Sequence, residues 1–145
     1  GTDMQVKDIM SGQPIAIAPA EPVAAAARVL AQHNIGALPV CSGGQLRGMV
    51  TDRDIVLRCV AAGQDPGQTP VQAVMTRRLI TVAPEDPLPI AVQLMAREQV
   101  RRLPVAQGRR LVGMVSLADL AAQPACAMEA AGTLAEISAG LLHRT

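Results

Sequence analysis

Gly48-Met49-Val50-Thr51-Asp52-Arg53-Asp54 returns 65 positions later as Gly113-Met114-Val115-Ser116-Leu117-Ala118-Asp119. The same offset carries Leu38-Pro39-Val40 onto Leu103-Pro104-Val105, Pro19 and Pro22 onto Pro84 and Pro87, and Met10 onto Met75, so residues 6 to 55 lie over 71 to 120 without a gap. One unit is written twice. A piece of about 50 residues rarely buries enough apolar surface to stand alone, so the two copies are expected to pack with pseudo-twofold symmetry and to duplicate any site they form.

The order of elements follows from the residues around the motif. Ile15-Ala16-Ile17-Ala18 and Leu79-Ile80-Thr81-Val82 are short apolar stretches that end at proline, as short strands do. Glu21-Pro22 and Asp86-Pro87 mark helix starts. The apolar positions Val23, Ala26, Ala27 and Leu30, and their counterparts Leu88, Ala91, Val92 and Met95, have the spacing of one buried helical face. A second strand at 37 to 40, the turn Ser42-Gly43-Gly44 and a third strand at 46 to 50 predict a hairpin, and a second helix runs from Thr51 toward Ala62. The unit is strand, helix, strand, strand, helix. The predicted organisation is repeat 1 at 6–62, a linker at 63–70, repeat 2 at 71–122 and a helical tail at 123–145, broken at Pro124 and restarting at a capping box formed by Thr133 and Glu136. Leu134, Ile137 and Leu141 are expected on one face of that tail. The fold class is α+β.

Composition narrows the functions. Half of the residues are hydrophobic, yet the chain has no Phe, Tyr or Trp, and its formal net charge is +1. Bases therefore have no aromatic platform, and the chain lacks the clear positive excess of a phosphate-backbone reader, which argues against nucleic acid as a partner. The three cysteines, Cys41, Cys59 and Cys126, form no Cys-x-x-Cys pair. Their odd number fits a reducing cytoplasm, and no apolar run approaches the roughly 20 residues of a membrane span. Neither His33 nor His143 has a partner at metal-ligand spacing, and no nucleophile with a base or Walker loop is present, which speaks against an enzyme.

The duplicated motif admits two readings. Thr51 with Asp54, and Ser116 with Asp119, are helix capping boxes that need no ligand. The glycine three residues before each hydroxyl adds a second possibility, that a ligand approaches the strand backbone there, with the hydroxyl near a phosphate and the aspartate accepting two ribose hydroxyls.

In the order Asp8-Ile9-Met10-Ser11, Ile35 to Val40, Gly48 to Asp54, Val100 to Val105 and Gly113 to Asp119, the chain resembles a tandem pair of cystathionine-β-synthase-type (CBS) domains, similar to small stand-alone bacterial pairs of the hypoxic-response type. The resemblance covers residues 6 to 120. It implies a regulatory module that binds AMP, ADP, ATP, NAD or S-adenosylmethionine in clefts between its repeats, with no catalytic cofactor. It implies Asp54 and Asp119 at ribose, and Thr51 and Ser116 at ribose or phosphate. Arg53, Arg101 and Arg102 fall to phosphate, and Ile15, Ile17, Pro39, Met49, Ile80, Val82, Pro104 and Met114 to an aliphatic adenine pocket. Gly36 and Ala37 stand where the second repeat has Arg101 and Arg102, so unequal sites are expected. A homodimer of four repeats in a flat disc and a further protein target complete the expectation. The alternative reading is a ligand-free scaffold or stress-linked protein-interaction module.

Overall fold

A computed structural model describes residues 3–143, with side chains through residue 140. Two compact units account for the chain. The first comprises Ile15–Leu79 with Arg109–Leu111, and the second comprises the segment through Pro14, Ile80–Gly108 and the chain from Val112 onward.

In the first unit, α1 (Val23–His33) begins after Pro22 and ends where Asn34 turns left-handed at φ 52°. Strands β1 (Ala37–Ser42) and β2 (Gln45–Thr51) form an antiparallel hairpin that pairs Leu38 with Val50 and Val40 with Gly48, with a bulge after Val40. Gly43 and Gly44 close it at φ 59° and 79°, a conformation that costs glycine little. The second helix, α2 (Asp52–Ile55), runs on into a π-turn over Val56–Val60, closed by the Ala61 N–H donating to the Val56 carbonyl at 2.8 Å. The alternation of β2 buries Leu46, Gly48 and Val50, and Val50 shares one core with Leu38 and Val40 of β1 and with Val23, Ala26 and Leu30 on one face of α1.

The second unit repeats the plan with α3 (Leu88–Glu98), β3 (Arg102–Gln107), β4 (Arg110–Ser116) and α4 (Leu117–Ala121). All four stripe residues of α3, Leu88, Ala91, Val92 and Met95, are no more than 4% exposed. The predicted opening strands contract in both units to one parallel bridge residue, Ile17 beside Val40 and Val82 beside Val105. Each bridge residue donates one backbone bond and accepts another, Ile17 N–H to Pro39 and Cys41 N–H to Ile17, before Pro19 or Pro84 turns the chain away.

The tail departs from expectation. Helix α5 spans Ala127–His143, so it starts six residues before Thr133, which is 5% exposed in mid-helix and caps nothing. Ala127 to Ala131 contain no breaker, and an alanine-rich run continues a helix without needing a cap. The buried positions are Ala130, Thr133 and Ile137, whereas Leu134 is 42% exposed and the Leu141 side chain lies outside the described residues.

Each unit is completed by the opening segment of the other repeat. In the second unit, Val6 N–H donates to Asp86 at 2.9 Å and Lys7 N–H to Pro84 at 2.9 Å, while Ser11 and Met114 exchange backbone bonds of 2.8 and 3.1 Å. In the first unit the same bonds recur 65 positions on. Val71 N–H donates to Glu21 at 2.8 Å and Gln72 N–H to Pro19 at 2.9 Å, and Thr76 and Met49 exchange bonds of 2.8 and 2.9 Å. Val6 and Val71 are fully buried in these two cores.

Candidate functional site

Both motifs fold as the strand-to-helix corner that their residue types dictate. Thr51 is extended at φ −114°, and its Oγ1 accepts from the Asp54 N–H at 3.0 Å while the Thr51 N–H donates to Asp54 Oδ2 at 3.1 Å. Ser116, at φ −110°, does the same with Asp119, both bonds being 3.1 Å. Reciprocal capping therefore occupies one carboxylate oxygen at each corner.

The glycines have a different explanation from ligand approach. A Cβ on Gly48 would lie 2.6 Å from the Thr76 carbonyl oxygen and 3.1 Å from Met75 Sδ; one on Gly113 would lie 2.6 Å from Met10 Sδ and 2.7 Å from the Ser11 carbonyl oxygen. Space beside each strand is filled by the exchanged segment of the chain itself. Glycine is needed for protein packing there.

Beyond the capping box the two corners differ. Asp54 is 8% exposed, and Thr76 Oγ1 donates to both of its carboxylate oxygens at 3.2 Å. Arg58 stands one helical turn on, with Nη1 at 4.0 Å from Asp54 Oδ1, and donates to the Val74 and Met75 carbonyls at 3.2 and 3.1 Å. Asp119 is exposed, and the capping bond is the one hydrogen bond of its carboxylate among the described residues. Its counterparts of Thr76 and Arg58 are Ser11 and Gln123, and neither bonds to it.

The flanking charges differ too. Asp52 N–H donates to the Gly36 carbonyl at 3.0 Å, and a Cβ on Gly36 would be 3.4 Å from Asp52 Oδ2, so an acid borders the first corner. At the second corner Leu117 N–H donates to the Arg101 carbonyl at 2.8 Å, with Leu117 2% exposed and Arg101 and Arg102 both exposed. Arg53 is exposed, and its backbone N–H is taken by Asp52 Oδ1 at 2.8 Å.

Of the aliphatic positions, Ile17, Pro39, Val82 and Pro104 are buried, whereas Ile15 is 39% exposed and Met49, Ile80 and Met114 are half-buried. Thr76, Arg58 and Asp52 were missed in the sequence. The first two had signals, since a hydroxyl follows the repeated methionine at 11 and 76 and Arg58 lies four residues after Asp54. Among the described residues, no group of three or more His, Cys, Asp or Glu side chains could hold a metal ion, and no helix is long and apolar enough to cross a membrane.

Residues 6–60 and 71–124 each match the CBS domain. The chain belongs to the CBS-domain family. This CBS pair is 45% identical over 138 residues to the CBS domain-containing protein YhcV of Bacillus subtilis, covering 95% of this chain and 98% of that one. It is 38% identical over 116 residues to Hypoxic response protein 1 of Mycobacterium tuberculosis, covering 79% and 81%. Among solved structures, Hypoxic Response Protein I with two coordinated zinc ions superposes with a TM-score of 0.74 at 37% identity, covering 81% of this chain and 97% of that one. The CBS domain pair of protein MJ0100, in complex with 5-methylthioadenosine and S-adenosyl-L-methionine, gives 0.70 at 31% identity, covering 81% and 93%.

Proposed function

We propose that this CBS pair is a regulatory sensor of adenosine-containing ligands and that it transmits occupancy through a homodimer rather than by catalysis. The observation that carries this reading is Asp119, an exposed carboxylate with one oxygen left over from capping, set on the unit that also presents Arg101 and Arg102. Two adjacent ribose hydroxyls match that carboxylate, since charge-assisted bonds to an ionised acceptor are the strong ones. Ser116 flanks the sugar, the two arginines meet phosphate, and the half-buried Ile80 and Met114 offer an aliphatic surface to adenine. The methylthioadenosine and S-adenosylmethionine held by the MJ0100 pair support adenosine as the common element.

Self-association is supported by an apolar surface in the first unit. Val56, Leu57 and Val60 are 54%, 49% and 60% exposed, and Val56 also borders an open groove of about 350 Å³ along α1 and α2. Free thiols at Cys41, Cys59 and Cys126 suit a reducing compartment, and we place the protein's work in the cytoplasm.

Titration calorimetry with AMP, ADP, ATP, NAD and S-adenosylmethionine tests the reading. At least one should bind and raise the melting temperature, a hundredfold excess over Kd being worth about 2.7 kcal/mol. The nucleotide should be recovered unchanged after incubation. Failure of all five to bind would overturn the sensor reading in favour of a scaffold.

A further inference from the structure

Both motifs spell the same residues at the capping positions, but their surroundings put them to different uses. We infer that each chain holds one nucleotide, at Asp119, and that Asp54 is an internal clasp shut by Thr76 and Arg58. This deepens the proposal above and rests on it for the ligand.

Two independent observations carry the inference. The first is occupancy: Asp54 is 8% exposed, with one oxygen accepting from the Thr51 N–H and both accepting from Thr76 Oγ1 at 3.2 Å. A ribose at Asp54 would have to displace that hydroxyl, and a buried carboxylate stripped of its partner is costly until the replacement is complete. Arg58 reinforces the closure by bonding the Val74 and Met75 carbonyls just ahead of Thr76, which fixes the segment that delivers the hydroxyl. Asp119 has no such closure. Serine and glutamine at positions 11 and 123 leave its second oxygen without a hydrogen bond among the described residues.

The second observation is charge. At the first corner Asp52, bonded to Gly36, stands next to the exposed Arg53 and offsets its charge, whereas at the second corner Leu117 and Ala118 take those two places and the exposed Arg101 and Arg102 replace Gly36 and Ala37. Like charge at close range disfavours a ligand that opposite charge would draw in. The two corners differ in both respects in the same direction. Thr76 and Arg58 thus act as positioning residues for the first unit and exclude a second nucleotide.

The test uses the full chain and ATP as probe. Calorimetry should give one ATP per chain. Asp119→Asn should weaken binding by about 10- to 100-fold, the loss of a charge-assisted bond. Asp54→Asn and Thr76→Val should leave ATP affinity within about twofold. Melting without ligand reads the clasp separately: Asp54→Asn and Thr76→Val should each lower the melting temperature by roughly 3 °C or more, and Asp119→Asn by clearly less. Two ATP per chain, or an Asp54→Asn loss of affinity equal to that of Asp119→Asn, would overturn the inference. If none of the adenosine ligands binds, the sensor reading fails, and the melts still decide the clasp: it falls if Asp54→Asn and Thr76→Val are as stable as the parent.

Discussion

Replacing Gly48 by alanine distinguishes a glycine kept for packing from one kept for a ligand. The added Cβ would sit 2.6 Å from the Thr76 carbonyl oxygen, so that oxygen must retreat by about 0.8 Å to reach ordinary contact at 3.4 Å. It is not a flexible side-chain end. The same carbonyl accepts the Met49 N–H at 2.9 Å, and Thr76 N–H donates back to Met49 at 2.8 Å, so retreat strains a reciprocal pair. Overpacking of this kind costs about 1–3 kcal/mol, and each weakened backbone bond adds up to about 1 kcal/mol. Alanine recovers roughly 0.5–1 kcal/mol from the lower entropy of its unfolded chain in an extended position. The net expectation is a loss of about 1–3 kcal/mol, or roughly 3–10 °C in melting temperature at this chain length. With no Trp, Tyr or Phe to report, far-ultraviolet circular dichroism is the suitable readout. Gly12→Ala, where a Cβ meets nothing within 4 Å, is the matched control. A Gly48→Ala variant that melts within about 1 °C of the parent but loses nucleotide affinity would refute the packing explanation and restore the ligand one.

Gly132→Ala, in open space on α5, should raise stability by about 0.5–1 kcal/mol in the same melts. Removing the residues through Ser11 should melt the second unit early and leave the first near its parental transition, because Val6 is fully buried there; equal loss in both transitions would count against that assignment. Burial, with Glu129 adding to it, pushes the Cys126 thiol above its ordinary value of 9.0, and burial alone does so for Cys41. A raised folded value means the native state keeps its proton longer than the unfolded chain, so stability should be intact below about pH 9.0 and decline as pH climbs above it toward the folded values. Cys126→Ala should flatten that decline. Val60→Glu, at a site 60% exposed, tests the proposed homodimer: light scattering should show a dimer mass for the parent and a monomer mass for the variant, with the chain still folded.

Much of the fold was legible because it follows from local periodicity. Val23, Ala26 and Leu30 are buried as a helical stripe, and the paired glycines at 43 and 44 take the positive φ that a tight hairpin requires. The tail was misread for an equally local reason. Thr133 and Glu136 have capping-box spacing, but that spacing also occurs inside a helix, and the alanine-rich run from Ala127 carries α5 through Gly132 into Thr133. A pattern of four residues cannot outweigh the context of seventeen.

The exchange of opening segments was not legible for a deeper reason. A repeat of constant offset is unchanged in sequence terms when its two copies trade a segment: Met10 fits beside Gly48 as well as beside Gly113 on residue type alone, and Met75 likewise. Only the three-dimensional path decides, and it sets Met10 and Ser11 against Gly113, and Met75 and Thr76 against Gly48. That path is also what makes the two motifs unequal. The letters within Gly48 to Asp54 and Gly113 to Asp119 cap their helices identically, so the difference between a closed and an open carboxylate comes from residues outside the motif. It lies in the Thr76 hydroxyl, which reaches Asp54 while that of Ser11 does not bond to Asp119, and in an arginine in place of a glutamine four residues along from the aspartate. Motif identity therefore reports shared local structure, and the partners around each motif determine which aspartate keeps an oxygen without a hydrogen bond among the described residues.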